Sequence, residues 1–164
     1  MISALAIAVT AGTDPRRGTM GMMDDAPNPA RSGAHTIIVF DGECVLCSAN
    51  AQFVLRHDKR GHFRLAAMQG AVGAELYRRF GIDPADPESL IVVEGDRALR
   101  DSDAILAIYA GLGGPWRALA AAGRLVPRVL RDPVYRCVAR NRYRIFGRRD
   151  TCWMPNPEHA ERIL

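Results

Sequence analysis

The stretch that decides the fold is TIIVFDGECVLC, residues 36–47. Its first five residues are apolar or β-branched, which predicts a buried β-strand over 36–40. Asp41 and Gly42 then predict a turn, and helix-forming residues run from about Cys44 to His57. Cysteines three residues apart on the first turn of a helix share one face, so the two sulfurs can form a disulfide.

This position in the chain also favours activation of a thiol. The N-terminus of a helix carries partial positive charge and unpaired N–H groups, which stabilise a thiolate on Cys44. We therefore predict that Cys44 is the nucleophile and the more exposed thiol, and that Cys47 is the more buried resolving thiol. Asp41 is predicted to accept the proton of Cys47 or to cap the turn. Glu43 should oppose the thiolate, which favours a reducing dithiol.

The order of the remaining patterns predicts an α/β domain. The predicted elements are strands at 36–40, 63–67, 90–93 and 97–100 and helices at 44–57, 73–80 and 103–110. In this β-α-β-α-β-β-α order the first two strands should be parallel, because a helix joins them, and the last two should form an antiparallel hairpin. This is the element order of the three-layer thioredoxin fold, with the cysteine pair after the first strand.

A basic helical extension follows the predicted α/β core. Helices are predicted at 115–122, 127–131 and 132–146, the last with Val134, Cys137, Val138, Asn141 and Ile145 on its inner face. Residues 115–149 contain ten arginines and one acidic residue, Asp132. Such a charge predicts an acidic partner, an anionic membrane surface or a solvated helical face. No nucleic-acid motif accompanies it, so specific nucleic-acid binding is not expected.

The sequence also predicts how the chain is divided. Residues 1–34, rich in Gly, Pro, Asp and Asn, are expected to be a disordered leader, with internal methionines as alternative starts. Residues 35–155 are expected to be one domain that includes the basic extension 115–149, and residues 156–164 a tail. The leader is a poor signal peptide, and no apolar run is long enough to cross a bilayer. We therefore expect a cytoplasmic protein.

Several alternatives remain open at this point. A zinc site needs four ligands, and only accidents of folding would bring His57 and His62 to the one tight cysteine pair, so no metal or cofactor is expected. Cys137 and Cys152 are expected to pack in the core or the tail. Pro87 is the one candidate for a cis-proline opposite the dithiol, although an ordinary loop proline is slightly favoured. A non-catalytic binding module is a further alternative, but such a module has no need of the cysteine pair.

The motif Asp41-Gly42-Glu43-Cys44-Val45-Leu46-Cys47 resembles the D-x-x-C-x-x-C signature of the DCC family, a group of predicted thiol–disulfide oxidoreductases. The resemblance spans about residues 36–155 and continues in Ser102, Asp103, Ala104, Tyr135, Ala139, Arg142, Tyr143, Cys152 and Pro155. It implies a thioredoxin-like fold and reduction of protein or small-molecule disulfides. It names neither the substrate nor the electron donor.

Overall fold

A four-stranded mixed sheet lies at the centre of the protein. The computed structural model describes residues 35–82, 90–153 and 157–164, so the predicted leader and Pro87 lie outside the described residues. The elements are β1 Thr36–Phe40, α1 Val45–His57, β2 Phe63–Ala67, α2 Ala71–Arg79, β3 Ile91–Glu94, β4 Arg97–Leu99, α3 Asp101–Leu112, α4 Gly114–Arg124, α5 Arg128–Phe146 and a 3₁₀ helix Pro157–Arg162.

The sheet has the order β2-β1-β3-β4, with β1 in the interior. β1 pairs in parallel with β2 and antiparallel with β3, and β3 pairs antiparallel with β4. These pairings confirm the predicted thioredoxin-like α/β fold. All five residues of β1 are buried because helices cover both faces of the sheet. The turn after β1, which carries the cysteine pair, therefore emerges at the middle of the sheet.

Two hydrophobic cores form, one on each face of the sheet. Ile38, Phe40 and Leu65 point to the face that α1 and α3 cover. Ile37 and Val39 point to the opposite face, against Leu76 and Tyr77 of α2. The alternation along β1 follows from the two-residue period of a strand. The cysteine pair lies on the α1 and α3 side, where Cys47 packs against the first core.

The predicted helical extension is present, but two of its details are wrong. α5 is one continuous helix with Pro133 inside it, not two helices. Its buried residues are Ala139 and Arg142, whereas the stripe predicted to face inward is mostly exposed, with Val134 66% and Ile145 59% exposed. The buried face carries Arg142, whose guanidinium pairs with the carboxylate of Asp41 in the turn after β1.

Residues 157–164, predicted as a tail, pack beside β2. The side chain of Arg162 is buried, and its Nη2 lies 2.5 Å from Asp58 Oδ2. The Leu164 N–H donates to the Leu65 carbonyl at 2.8 Å. Asp58 follows the last residue of α1, and its carboxylate also accepts a hydrogen bond from the Phe63 N–H at 2.8 Å. The Asp58 carboxylate therefore links the end of α1 to the start of β2 and to Arg162. None of the described helices is both long and apolar enough to span a bilayer.

Candidate active site

Cys44 caps the N-terminus of α1. Its Sγ accepts the backbone N–H of Cys47 at 3.2 Å, so the sulfur sits at the positive end of the helix dipole. A hydrogen bond from the Cys47 thiol is the largest influence on Cys44. Together with the Cys47 N–H and the charge of Arg142 it lowers the pKa of Cys44 to about 7, against burial and the charge of Asp41. A large fraction of Cys44 is therefore thiolate at neutral pH.

The pKa of the Cys47 thiol is shifted in the opposite direction. It donates the hydrogen bond to Cys44, it is partly removed from water, and it faces the negative charge of that thiolate. These three effects, in that order, raise the pKa of Cys47 far above its ordinary value, and the charge of Arg142 opposes them only in part. In the reduced pair the shared proton therefore stays on Cys47 and the negative charge on Cys44.

The exposure of the two sulfurs is the reverse of the prediction. Cys44 is 0% exposed, whereas Cys47 is half-buried and lines a cavity. Cys44 is buried because residues 147–153, which we call the covering segment, lie along the turn that precedes it. Three backbone hydrogen bonds join the covering segment to residues 42–45. The Arg149 N–H donates to the Glu43 carbonyl at 2.7 Å, and the Trp153 N–H donates to the Gly42 carbonyl at 3.0 Å. In the opposite direction, the Val45 N–H donates to the Gly147 carbonyl at 3.4 Å.

Side chains add to these backbone contacts. Arg148 forms an ion pair with Glu43 on the surface, and the ring of Trp153 meets Phe40 edge-on with its centroid 6.0 Å away. The negative charge of Glu43, which was expected to oppose the thiolate, is therefore paired with the guanidinium of Arg148. The covering segment thus lies about a hundred residues from the cysteines in sequence but against them in space.

Asp41 is buried beside the pair and is fully hydrogen-bonded. Its four donors are the Tyr143 hydroxyl, Gln69 Nε2 at 2.8 Å, the Glu43 N–H at 3.0 Å and Arg142 Nη2 at 3.2 Å. Burial raises the pKa of Asp41, but these hydrogen bonds outweigh it, and the pKa lies below its ordinary value. The bond from Glu43 confirms the predicted role in the turn. The predicted role as proton acceptor stays a prediction, and a carboxylate so stabilised is a weak base.

Arg142, Tyr143 and Gln69 belong to this site, and the sequence did not mark them as site residues. Arg142 is buried, with its Nη1 donating to the Ala139 carbonyl at 3.0 Å, and its guanidinium lies over the Tyr143 ring at 4.6 Å. Gln69 Oε1 also accepts the Gly42 N–H at 3.1 Å. Arg142 and Tyr143 carry part of the family resemblance, which was the available signal, but in an arginine-rich helix neither stands out.

A largely apolar cavity of about 370 Å³ opens beside Cys47. Its walls come from α1, α3 and α5, and from Met68 and Leu90 next to the sheet. Asp41, Arg142 and Cys47 line it too, so one sulfur of the cysteine pair and the buried ion pair face the same largely apolar space. Cys44 does not line this cavity. The cavity therefore gives access to the second sulfur of the pair and not to the first.

The other two cysteines differ from each other. Cys152, in the covering segment, is half-buried, and its sulfur lies so close to Gly42 that a Cβ there would collide with it. Burial is the main reason that the pKa of Cys152 is raised. Cys137 is exposed on α5, so its predicted place in a core is wrong. Among the described residues no three potential ligands come together to hold a metal ion. His62 hydrogen-bonds Thr36, and His57 packs on Phe53.

The comparisons with known proteins agree with this site. Residues 38–148 match the model of the DCC1-like thiol-disulfide oxidoreductase family. The chain is 32% identical over 128 residues to the uncharacterized protein YuxK of Bacillus subtilis, an alignment that covers 78% of this chain and 93% of YuxK. It is 35% identical over 137 residues to the chloroplastic DCC family protein At1g52590 of Arabidopsis thaliana, with 84% of this chain and 80% of that protein covered. No solved structure matches the chain. The family model matches two thirds of the chain, and the structure places its cysteine pair at the N-terminus of a helix. The protein is therefore a member of the DCC1-like thiol-disulfide oxidoreductase family.

Proposed function

We propose that the protein is a disulfide reductase in which Cys44 is the nucleophile and Cys47 the resolving thiol. The observation that carries this proposal is the position of Cys44 Sγ at the N-cap of α1, where it accepts the Cys47 N–H at 3.2 Å. The same contacts lower the pKa of Cys44 to about 7, so the attacking species is abundant at neutral pH. A purely structural pair of cysteines has no need of so unequal a sharing of the proton.

The proposed reaction is thiol–disulfide exchange. The Cys44 thiolate attacks one sulfur of a substrate disulfide, the substrate S–S bond breaks, and the first substrate thiolate leaves. Cys47 then loses its proton and attacks the Cys44 sulfur, which releases the second thiolate and leaves a Cys44–Cys47 disulfide. Two electrons pass to the substrate, and two protons convert its thiolates to thiols. A reducing thiol must then restore the pair, and a reducing compartment such as the cytoplasm supplies such thiols.

Asp41 and Arg142 support this chemistry as positioning residues in the proposal. The Asp41 carboxylate holds the Arg142 guanidinium at 3.2 Å, and the charge of Arg142 favours the thiolate on Cys44 while that of Asp41 disfavours it. Because the Asp41 carboxylate already accepts four hydrogen bonds, its main effect in the proposal is to fix the Arg142 guanidinium near the sulfurs. Proton transfer from Cys47 to Asp41 is the alternative role, and it requires one of those four donors to be displaced.

Reduction of insulin with dithiothreitol as the electron donor tests the proposal. Cys44→Ser should abolish catalysis, and Cys47→Ser should accumulate mixed disulfides with the substrate, because no second thiol is left to resolve them. The matched control is Cys137→Ser, which removes an exposed thiol outside the pair and should leave the rate unchanged. Undiminished activity of the Cys44→Ser variant would refute the assignment.

A second proposed property is binding of an anionic surface by α4 and α5. Leu125 is 84% exposed, Val129 77% and Leu130 62%, and exposed arginines lie among them. Apolar side chains interleaved with cations are typical of helices that lie in the headgroup region of a membrane. This property is compatible with the reductase, because Cys44 and the exposed face of α5 are separate features.

A further inference from the structure

The cavity beside Cys47 has no part in the reaction as described so far. Of the two sulfurs, the cavity reaches only that of Cys47, whereas Cys44 lies buried under the covering segment. At about 370 Å³ the cavity has the size of a small-molecule site. It is also lined by Phe53, Tyr109 and Tyr135, three rings that can bury the apolar part of a ligand.

We propose that this cavity takes a compact, uncharged and largely apolar thiol, which reduces the oxidised protein by attacking Cys47. This inference rests on the proposed function, because it supplies the electron donor that the reductase needs. The apolar walls select the organic part of the thiol by removing it from water. A charged thiol such as a peptide with free carboxylates would lose its hydration there without enough partners, so it is disfavoured.

The chemistry at Cys47 balances as follows. The thiolate of the donor attacks Cys47 Sγ, the Cys44–Cys47 bond breaks, and Cys44 leaves as a thiolate at the N-terminus of α1, where the Cys47 N–H donates a hydrogen bond to it. A second donor thiol then attacks the donor sulfur of the mixed disulfide, and Cys47 leaves and takes a proton. Two donor thiols become one disulfide and release two protons, while the protein gains two electrons and one of those protons, on Cys47, with Cys44 left as the thiolate.

The roles of the two sulfurs fit this direction of attack. In disulfide exchange the sulfur that is reached is attacked, and the thiol with the lower pKa leaves faster. Cys47 is the accessible sulfur and Cys44 is the better leaving group. The reversed exposure of the pair therefore separates two reactions in space. Reduction of the protein occurs at Cys47 through the cavity, and reduction of the substrate occurs at Cys44.

A pair of matched thiols tests the proposal on the oxidised protein. 2-Phenylethanethiol and 2-mercaptoethanol are both simple alkanethiols, but only the first has an apolar ring to bury. With acid quenching and mass spectrometry, 2-phenylethanethiol should reduce the wild type about tenfold faster or more. The quenched mixed disulfide should map to Cys47. Equal rates for the two thiols, or a mixed disulfide on Cys44, would overturn the proposal.

Two variants locate the effect in the cavity. Ala49 is an exposed residue of α1 that lines the cavity, so Ala49→Phe narrows the space without repacking a core. It should remove the advantage of 2-phenylethanethiol, because it lowers the rate with that thiol much more than the rate with the smaller 2-mercaptoethanol. Ala118→Phe, at an exposed position of α4 that does not line the cavity, should keep the advantage. Loss of the advantage in both variants, or in neither, contradicts the assignment to the cavity.

A redox-inactive variant separates this inference from the proposed function. The Cys44→Ser/Cys47→Ser protein should still bind ethylbenzene, a sulfur-free analogue of the donor, with NMR shifts of the Leu46, Ile105 and Val138 methyl groups that line the cavity. Adding Ala49→Phe should abolish those shifts. Absence of binding overturns the cavity proposal whatever the redox activity. If the double variant binds ethylbenzene but the wild type catalyses no disulfide exchange, the apolar site is upheld and the proposed reductase function is overturned.

Discussion

Asp41 and Arg142 form a buried ion pair at the centre of the site, with side-chain exposures of 5% and 10%. Removing one member of such a pair leaves the other charge buried without its counter-charge. Each also has further partners, since Asp41 binds the turn after β1 and Arg142 binds the Ala139 carbonyl. The pair therefore links the turn that carries the dithiol to α5.

We expect Asp41→Asn to lower the free energy of unfolding by about 3 kcal/mol, because it leaves the guanidinium uncompensated. Urea unfolding at neutral pH measures the effect, and Asp96→Asn, at a carboxylate that is 91% exposed, is the control with little expected loss. The pKa of Asp41 is lowered on folding, so its contribution is present above the unfolded pKa and disappears as pH falls through the folded one. A stability difference that persists undiminished in strong acid would contradict this account.

Cys44 should show a thiolate titration near pH 7. The thiolate fraction rises with pH through that value, since the contacts that lower the pKa of Cys44 stabilise its ionised form. Ultraviolet absorbance of the reduced protein follows the titration without requiring access to the sulfur. The transition should disappear in Cys44→Ser and remain in Cys137→Ser. A first transition only near the ordinary pKa of a cysteine would show that the N-cap does not activate this thiol.

At the residue level the sequence was informative where the cause is local. The apolar run 36–40 and the Asp41-Gly42 turn place Cys44 at a helix start, and the structure confirms that placement. The exposure of Cys44 was predicted wrongly because it depends on the covering segment, whose contacts with the turn are long-range. The buried role of Arg142 is also long-range, because its partner Asp41 lies 101 positions earlier in the chain.

Among the elements, the covering segment controls access to Cys44. A protein disulfide cannot reach a sulfur that is 0% exposed, so the proposed reduction of a folded substrate requires the segment to move. Its backbone hydrogen bonds are few, and the Trp153 ring against Phe40 is its main apolar anchor. Local openings of such a segment require less free energy than global unfolding.

Trp153→Ala should therefore make Cys44 easier to alkylate. We expect the alkylation rate at a fixed pH to rise by about tenfold, as lost burial of the ring makes opening more favourable. The thiolate titration should stay near pH 7, because the hydrogen bonds from Cys47 that lower the pKa of Cys44 do not involve Trp153. Leu125→Ala, at a residue that is 84% exposed, is the control. An unchanged rate in Trp153→Ala would mean that the ring does not hold the segment closed.

α5 illustrates why a helical period can be assigned to the wrong face. Val134, Val138 and Ile145 recur at the spacing of a buried stripe, yet all three are more than a third exposed. The face that is buried carries Ala139 and Arg142, and it packs toward α1 and α3. Local hydrophobicity cannot identify such a face, because its burial depends on a carboxylate supplied by another element.

At the scale of the whole molecule, positive charge is concentrated in residues 115–149, and several of the arginines there are paired. Arg128 and Arg131 pair with Asp103, and Arg136 pairs with Asp101. These pairs fasten α5 to the start of α3. Other arginines of the extension, Arg117, Arg124, Arg144 and Arg149, are exposed near the exposed apolar residues.

We expect the protein to bind vesicles that contain an anionic phospholipid and not neutral vesicles. Binding should weaken as salt rises, because exposed charges are screened over roughly 8–10 Å at physiological ionic strength. Arg144→Gln combined with Arg149→Gln should weaken binding by about thirtyfold, at about 1 kcal/mol for each of the two lost charges near the surface. Arg78→Gln on α2, which covers the other face of the sheet, is the control for net charge. If co-sedimentation with vesicles changes neither with salt nor in any of these arginine variants, the basic helices do not bind anionic lipid and are only a solvated face.

The covering segment has one more consequence, for damage by peroxide. A thiolate reacts with peroxide to give a sulfenic acid, and an accessible sulfenic acid can continue irreversibly to the sulfinic form. Cys44 combines a low pKa with complete burial, and Cys47 lies one helical turn away to trap any sulfenic acid as a disulfide. Irreversible oxidation should consequently begin at the exposed Cys137 and spare Cys44, the proposed nucleophile.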